Sequence, residues 1–301
     1  SYTLGDMMNR HGLSRSIPSK IAHEIRQRSK FGCVICRCAI YQYEHIDPEF
    51  ANARQHDPEA MCLLCGGCHD RVTRGRLSKE TVKAKYREVQ NSQEIRRPFE
   101  ELDLATGQVS VELGSATFEY ARCLVRINGV DLLTISPPKD GSAFPTLNGV
   151  FCDRTGQEIF RITDNVWEGP LDAWDIQVSG KKLTIKADEQ RLVLTLEVKP
   201  PSTVRITHLD MYKDNCHIMC NEEQILIGQI YGSAYSYIGL RNFVCHGGTA
   251  GISVDSRSGM PPRLSEIRII GGEGILLDGT GIKVGEGAGS MLIEQIQVWV
   301  Q

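Results

Sequence analysis

The sequence contains no run of about 18 apolar residues, so no membrane-spanning helix can be read from it. Its first stretch, SYTLGDMMNRHGL, has no charged-then-apolar leader, and the expectation is a cytoplasmic protein without membrane contact. A disordered composition is also missing, since 41% hydrophobic and 24% charged residues are the balance of a globular chain. The glycine sets GGEG and GTGIKVGEGAG lack the Lys-Ser/Thr of a phosphate loop and a strand-to-helix setting, which leaves them as turns. Beyond about Phe99, helical periodicity is nearly absent.

Cysteine, by contrast, is plentiful. Six of the eleven cysteines lie between Cys33 and Cys68, a spacing that favours reduced thiols around a metal over a disulfide framework. Cys33/Cys36 and Cys65/Cys68 form two Cys-x-x-Cys pairs. Each pair delivers two sulfurs from one tight turn, and together they are the ligand set of a closed tetrahedral structural zinc site. Zinc replaces the large core that so short a segment cannot build. Cys38 and Cys62 are surplus and read as packed thiols.

Charge is divided unevenly. Residues 1–97 hold 17 Lys+Arg against 11 Asp+Glu, whereas the remainder holds 17 against 26. The basic part suits a polyanion such as nucleic acid, and the acidic part suits it poorly.

In chain order, residues 1–15 read as a polar arm. Pro18 opens a helix with Ile21, Ala22 and Ile25 at helical spacing. Ala39 to Ile46 reads as a strand stopped by Asp47-Pro48, and a polar loop follows. A second strand, Met61–Leu64, enters the second cysteine pair, and a helix opening at Cys68 carries His69 in its first turn. Ser78 caps a further helix, with Glu80 in its first turn.

This order resembles the HNH endonucleases of the ββα-metal type. The resemblance covers roughly residues 17–76 and rests on Glu44-His45-Ile46-x-Pro48 and Leu64-Cys65-Gly66-Gly67-Cys68-His69. It implies that His45 is the general base, that Glu44 and His69 hold a divalent cation (Mg²⁺ or Mn²⁺), and that Cys33, Cys36, Cys65 and Cys68 bind a separate structural zinc. Counting back from Cys65 puts Ala60 at the family's loop Asn, so Asn52 or His56 must position the base if the site is active. A competing assignment makes His69 a zinc ligand in place of a cysteine. Arg71, Arg74 and Arg76 follow His69 as candidate DNA contacts.

The chemistry accounts for these residue types. Phosphodiester hydrolysis needs a deprotonated water and neutralisation of charge on the phosphate, which an imidazole and a Lewis-acidic ion supply. Residues 44 and 45 point to opposite faces of a regular strand, so one site can use both only where the strand ends.

From about residue 101 short β-rich runs alternate with turn signals, among them ARCLVRI before Asn128-Gly129 and RLVLTLEV before Pro200-Pro201. The expectation is an α+β chain with a nuclease-like module at 1–90, a linker at 91–100 and an all-β domain at 101–301, built as a sandwich or a short β-solenoid. Cys216-His217 with Cys220 reads as packing rather than as a second metal site. The resemblance implies that the β domain provides recognition, a response to a protein or small signal, or homo-oligomerisation, in phage defence or restriction. A non-catalytic zinc-dependent DNA-binding protein is the alternative, and a structural assembly protein a third.

Overall fold

A computed structural model describes residues 8–92, 97–104, 109–119, 122–138, 145–170, 173–231, 234–241, 244–246 and 252–254, with short strands between 267 and 300. Residues 93–96 of the expected linker, the GGEG set and much of GTGIKVGEGAG lie outside the described residues. The fold is mixed, with few helices and mainly antiparallel strands. Among the described residues, no helix is long and apolar enough to cross a membrane. The chain divides into two units, Ser1–Glu100 with Glu168–Ser179 and Ala187–Glu189, and Glu101–Trp167 with Gly180–Lys186 and Gln190–Gln301.

The first unit is built around a two-stranded antiparallel hairpin. Helix α1 (Ser19–Arg28) follows Pro18, which stands at its N-cap with ψ 139° and whose carbonyl accepts from Ala22 N–H at 2.9 Å. Strand β1 (Gln42–His45) pairs with β2 (Met61–Leu64), with Glu44 opposite Cys62 and His45 opposite Met61. Helix α2 (Gly66–Thr73) follows directly, and α3 (Lys79–Asn91) completes the unit.

All four β2 side chains are buried, and their alternation explains the packing. Met61 and Leu63 join Ile25 of α1, with Ile17, Ile21, Tyr41 and Tyr43 around them. Cys62 and Leu64 face the other way, into a cluster with Cys33, Val34, Cys68 and the α3 residues Val82, Tyr86 and Val89. Removing one such buried aliphatic side chain costs about 2–5 kcal/mol. Ser78 caps α3 as its sequence predicts, its Oγ accepting from Thr81 N–H at 3.1 Å.

β1 is shorter than the expected Ala39 to Ile46. Cys38 instead bridges Phe99, and Ala39 N–H donates to Phe99 O at 2.9 Å, which takes this backbone away from the hairpin. The strand Asp175–Ser179, distant in sequence, also belongs to this unit. Asp175, 1% exposed, receives two hydrogen bonds of 2.7 Å from Arg26. Arg26 also donates to Tyr43 Oη at 2.6 Å, and Tyr41 Oη donates to Ile176 O at 3.3 Å.

The second unit contains antiparallel meanders. One runs through Lys182–Lys186, Leu192–Lys199, Thr203–Lys213, Cys216–Cys220, Ile225–Tyr231 and Ala234–Leu240. Another includes Cys123–Ile127, Val130–Ser136, Thr146–Cys152 and Glu158–Thr163. Sequential antiparallel pairing differs from the parallel stacking of solenoid rungs. A few parallel pairs join sequence-distant strands, such as Ser110–Leu113 with the start of Thr203–Lys213. Asn128-Gly129, at φ 49° and 79°, makes the tight turn that its dipeptide predicts. In Thr203–Lys213 the buried set is Val204 and Ile206, then Leu209 and Met211. A bulge opposite Thr195/Leu196 accounts for the change of parity. The core includes Phe151, Phe160 and Trp167 in edge-tilted contact at 5.1 and 5.8 Å.

Candidate functional site

The four thiols of Cys33, Cys36, Cys65 and Cys68 lie within 4.8 Å of one another. Tetrahedral thiolates around zinc stand about 3.8 Å apart, from Zn–S bonds of about 2.3 Å, and Cys36 and Cys65 sulfurs stand at 3.6 Å. The donor set therefore fits, and the cluster can hold a structural metal ion such as zinc. Cys65 occupies the N-cap of α2, and its sulfur accepts from Cys68 N–H at 3.4 Å. The first knuckle is braced by buried Arg37, which donates to Ser29 O at 2.9 Å and to Gly32 O at 3.3 Å. His69 does not join this cluster. Cys62 is fully buried beneath it, and half-buried Cys38 donates to Glu100 at 3.2 Å.

Beside the cluster lies a cleft of about 660 Å³, and Glu44, His45 and His69 all line it. β1 ends at His45, so neighbours that a continuing strand would separate share one cavity. Glu44 Oε2 and His69 Nε2 are 3.2 Å apart. That is the separation of a hydrogen-bonded carboxylate–imidazole pair, and the two groups are also donor types that a divalent cation takes.

His45 is 8% exposed, and its Nε2 lies 3.3 Å from His56 Nδ1. His56 Nε2 lies 2.9 Å from Ser14 O, which can only accept. In the neutral pair, His56 therefore carries its proton on Nε2 and presents a Nδ1 lone pair. His45 donates from Nε2, and Nδ1 is left as its basic atom. Burial, followed by His56, Lys79 and Arg15, pushes the His45 imidazole down to about 4, so it is neutral near pH 7.

Of the two candidates for the positioning contact, His56 is the one that touches His45, although it does not itself line the cleft. Asn52 is exposed in the short helix Phe50–Asn52 and does not line the cleft. Ala60 also lies outside it, its carbonyl accepting from Ile46 N–H at 2.8 Å. Arg71, Arg74 and Arg76 are exposed, and none of them lines the cleft. Arg74 pairs with Asp70 at 2.8 Å.

Sequence reasoning missed the two cations that do line the cleft, Arg15 and Lys79. Arg15 stacks its guanidinium 4.6 Å from the Phe50 ring. Lys79, the first residue of α3, pairs with Glu44 Oε1 and donates to His45 O at 2.7 Å. The signal for Lys79 was its position directly after the Ser78 cap, but its partner lies 35 residues away. The arm also packs onto the loop after β1. Asn9 ties it to Phe50 O and Ala53 O, and Ser14 orients His56.

In the second unit, His217 packs against Tyr212 at 3.9 Å and lies 2.6 Å from Asp210. Among the described residues, the four cysteines are the metal-type cluster of the chain. Comparison with protein-family models, curated proteins and solved structures finds no match to this chain.

Proposed function

We propose that this chain is a metal-dependent HNH-type endonuclease that hydrolyses DNA phosphodiester bonds. The observation that carries this reading is the convergence on one cleft of a buried neutral imidazole, His45, and the carboxylate–imidazole pair Glu44/His69. With Nε2 engaged by His56, Nδ1 is the His45 nitrogen left to take a proton from water.

In this mechanism Nδ1 of His45 takes a proton from a water molecule. The water oxygen bonds to phosphorus as the bond to the leaving sugar oxygen breaks, and that oxygen takes a proton from solvent. His56 Nδ1 accepts from His45 Nε2–H throughout, which holds the ring and stabilises the imidazolium formed. Glu44 and His69 would hold a divalent cation, Mg²⁺ or Mn²⁺, which would supply neutralisation of charge on the phosphate. The four cysteines hold zinc away from the reaction. Arg71, Arg74 and Arg76, outside the cleft, contact flanking phosphates.

The β region is assigned recognition or homo-oligomeric assembly, with a protein or small-molecule trigger, in a cytoplasmic defence or restriction role. A second reading, a zinc-dependent DNA-binding protein without turnover, draws on the Lys79–Glu44 pair, because that carboxylate is already neutralised.

Plasmid cleavage by the zinc-loaded protein with Mg²⁺, Mn²⁺ or chelator decides between them. The expected result is ion-dependent nicking that His45→Ala abolishes while zinc content is retained. DNA binding with no cleavage under any ion would establish the second reading.

A further inference from the structure

Each oxygen of Glu44 has a partner in this structure. Oε2 faces His69 at 3.2 Å and Oε1 is paired with Lys79, whose ammonium also donates to His45 O at 2.7 Å. A divalent ion entering between Glu44 Oε2 and His69 Nε2 therefore meets a carboxylate that already faces the positive charge of Lys79. The alternative partner for that charge is the substrate itself. Among the described cleft residues the cations are Arg15 and Lys79 and the carboxylates are Glu44 and Glu49, so an anionic phosphate entering there meets these two positive groups.

The backbone of Lys79 is fixed, since Ser78 caps the helix and Val82, Tyr86 and Val89 anchor it in the core. Its side chain is not fixed in the same way: 24% exposed, it has four methylenes with which to swing between a carboxylate and a phosphate in one cavity.

We infer that Lys79 is a tethered counter-ion that couples loading of the divalent cation to arrival of the phosphate backbone. The inference rests on the nuclease reading and adds the regulation of its site. Without DNA, Lys79 neutralises Glu44 and holds ion affinity low. With DNA, the ammonium transfers to a phosphate oxygen, and the negative charge of Glu44 is left to the incoming ion. Because the two ligands compete for and exchange one group, each strengthens the other, and linkage makes the effect reciprocal. The resting protein then carries little activated ion away from substrate.

The test is Mn²⁺ binding by calorimetry on zinc-loaded protein carrying His45→Ala, which prevents turnover, with and without a 12-mer duplex. The duplex is expected to tighten Mn²⁺ binding about 10-fold, the middle of the usual range for coupled sites. Adding Lys79→Gln is expected to tighten binding without DNA by a similar factor and to reduce the further gain from the duplex. Lys79→Arg keeps the charge and is expected to bind Mn²⁺ as weakly as its parent. If Lys79→Gln binds Mn²⁺ no more tightly than the parent, the coupling inference is overturned. A Glu44→Gln control separates this from failure of the nuclease reading. Mn²⁺ binding that survives Glu44→Gln means the ion sits elsewhere, and then the catalytic assignment itself falls along with the coupling.

Discussion

His56 Nδ1 lies 3.3 Å from Nε2 of His45, and the other nitrogen of His56 is held by the carbonyl of Ser14. This relay from the N-terminal arm through one imidazole to another fixes which nitrogen of His45 is basic. His56→Ala is expected to lower kcat about 10- to 100-fold, the usual loss when an orienting hydrogen bond is removed, with little change in KM. His56→Asn, which keeps a carbonyl acceptor, is expected to recover much of it. Equal loss in both variants, with unchanged melting temperatures, would count against a positioning role.

The four-cysteine cluster joins both ends of the hairpin, so its metal is expected to be required for folding of the first unit. Cys33→Ser is expected to lose zinc, measured by elemental analysis, and to abolish the cooperative melting of that unit. Structural zinc sites contribute about 10 kcal/mol or more to folding, more than a unit of this size can replace. A variant that melts normally without metal would refute the structural role.

Arg26 and Asp175 are 6% and 1% exposed, so neither can turn to water when its partner is removed. Asp175→Ala is expected to destabilise by about 3–5 kcal/mol, the cost of stranding a buried charge, measured by urea denaturation. Burial alone would raise the Asp175 carboxyl, but hydrogen bonds from Arg26 and Gln177 outweigh it and hold the group below its ordinary value. The contribution is therefore complete above the unfolded value of about 3.9 and is lost as pH falls toward the folded value. The stability gap between wild type and Asp175→Ala should narrow as pH drops below about 4. A gap that stays constant or widens would show that the pair is not the source.

Neutralising Arg71, Arg74 and Arg76 should weaken DNA binding without changing cleavage at saturating DNA, because none of them lines the cleft. Each arginine that contacts a phosphate is expected to lower the slope of log affinity against log salt by about one. An unchanged slope in the triple glutamine variant would show that this face does not meet the backbone.

Much of the grouping of the candidate residues was legible because they are local in sequence. The cysteine pairs, Glu44 beside His45, and His69 after Cys68 announce themselves by spacing, and the structure brings them to one cluster and one cleft. What escaped depends on packing across long separations. That His56 rather than Asn52 lies against His45 depends on the arm returning Ser14 to the loop, whereas counting back from Cys65 pointed to Ala60. Lys79 could be placed at a helix start but not opposite Glu44, since that depends on how Val82, Tyr86 and Val89 seat the helix on β2. The β-rich character of the later chain followed from composition and turns. The attachment of Asp175–Ser179 to the first unit did not, because a single buried aspartate carries no periodic signal.

The alternation of Met61, Cys62, Leu63 and Leu64 between two apolar clusters also governs mutational tolerance. β1 takes its register from β2, so a one-residue insertion within Gln42–His45 would exchange the sides of Glu44 and His45 while the hydrocarbon around β2 held its place. The exposed stretch Arg54–Gln55, which bears on neither cluster, should accept extra length far more readily, provided that His56 can still reach Ser14. The geometry of this cleft is thus inherited from the packing of β2 side chains that do not line it.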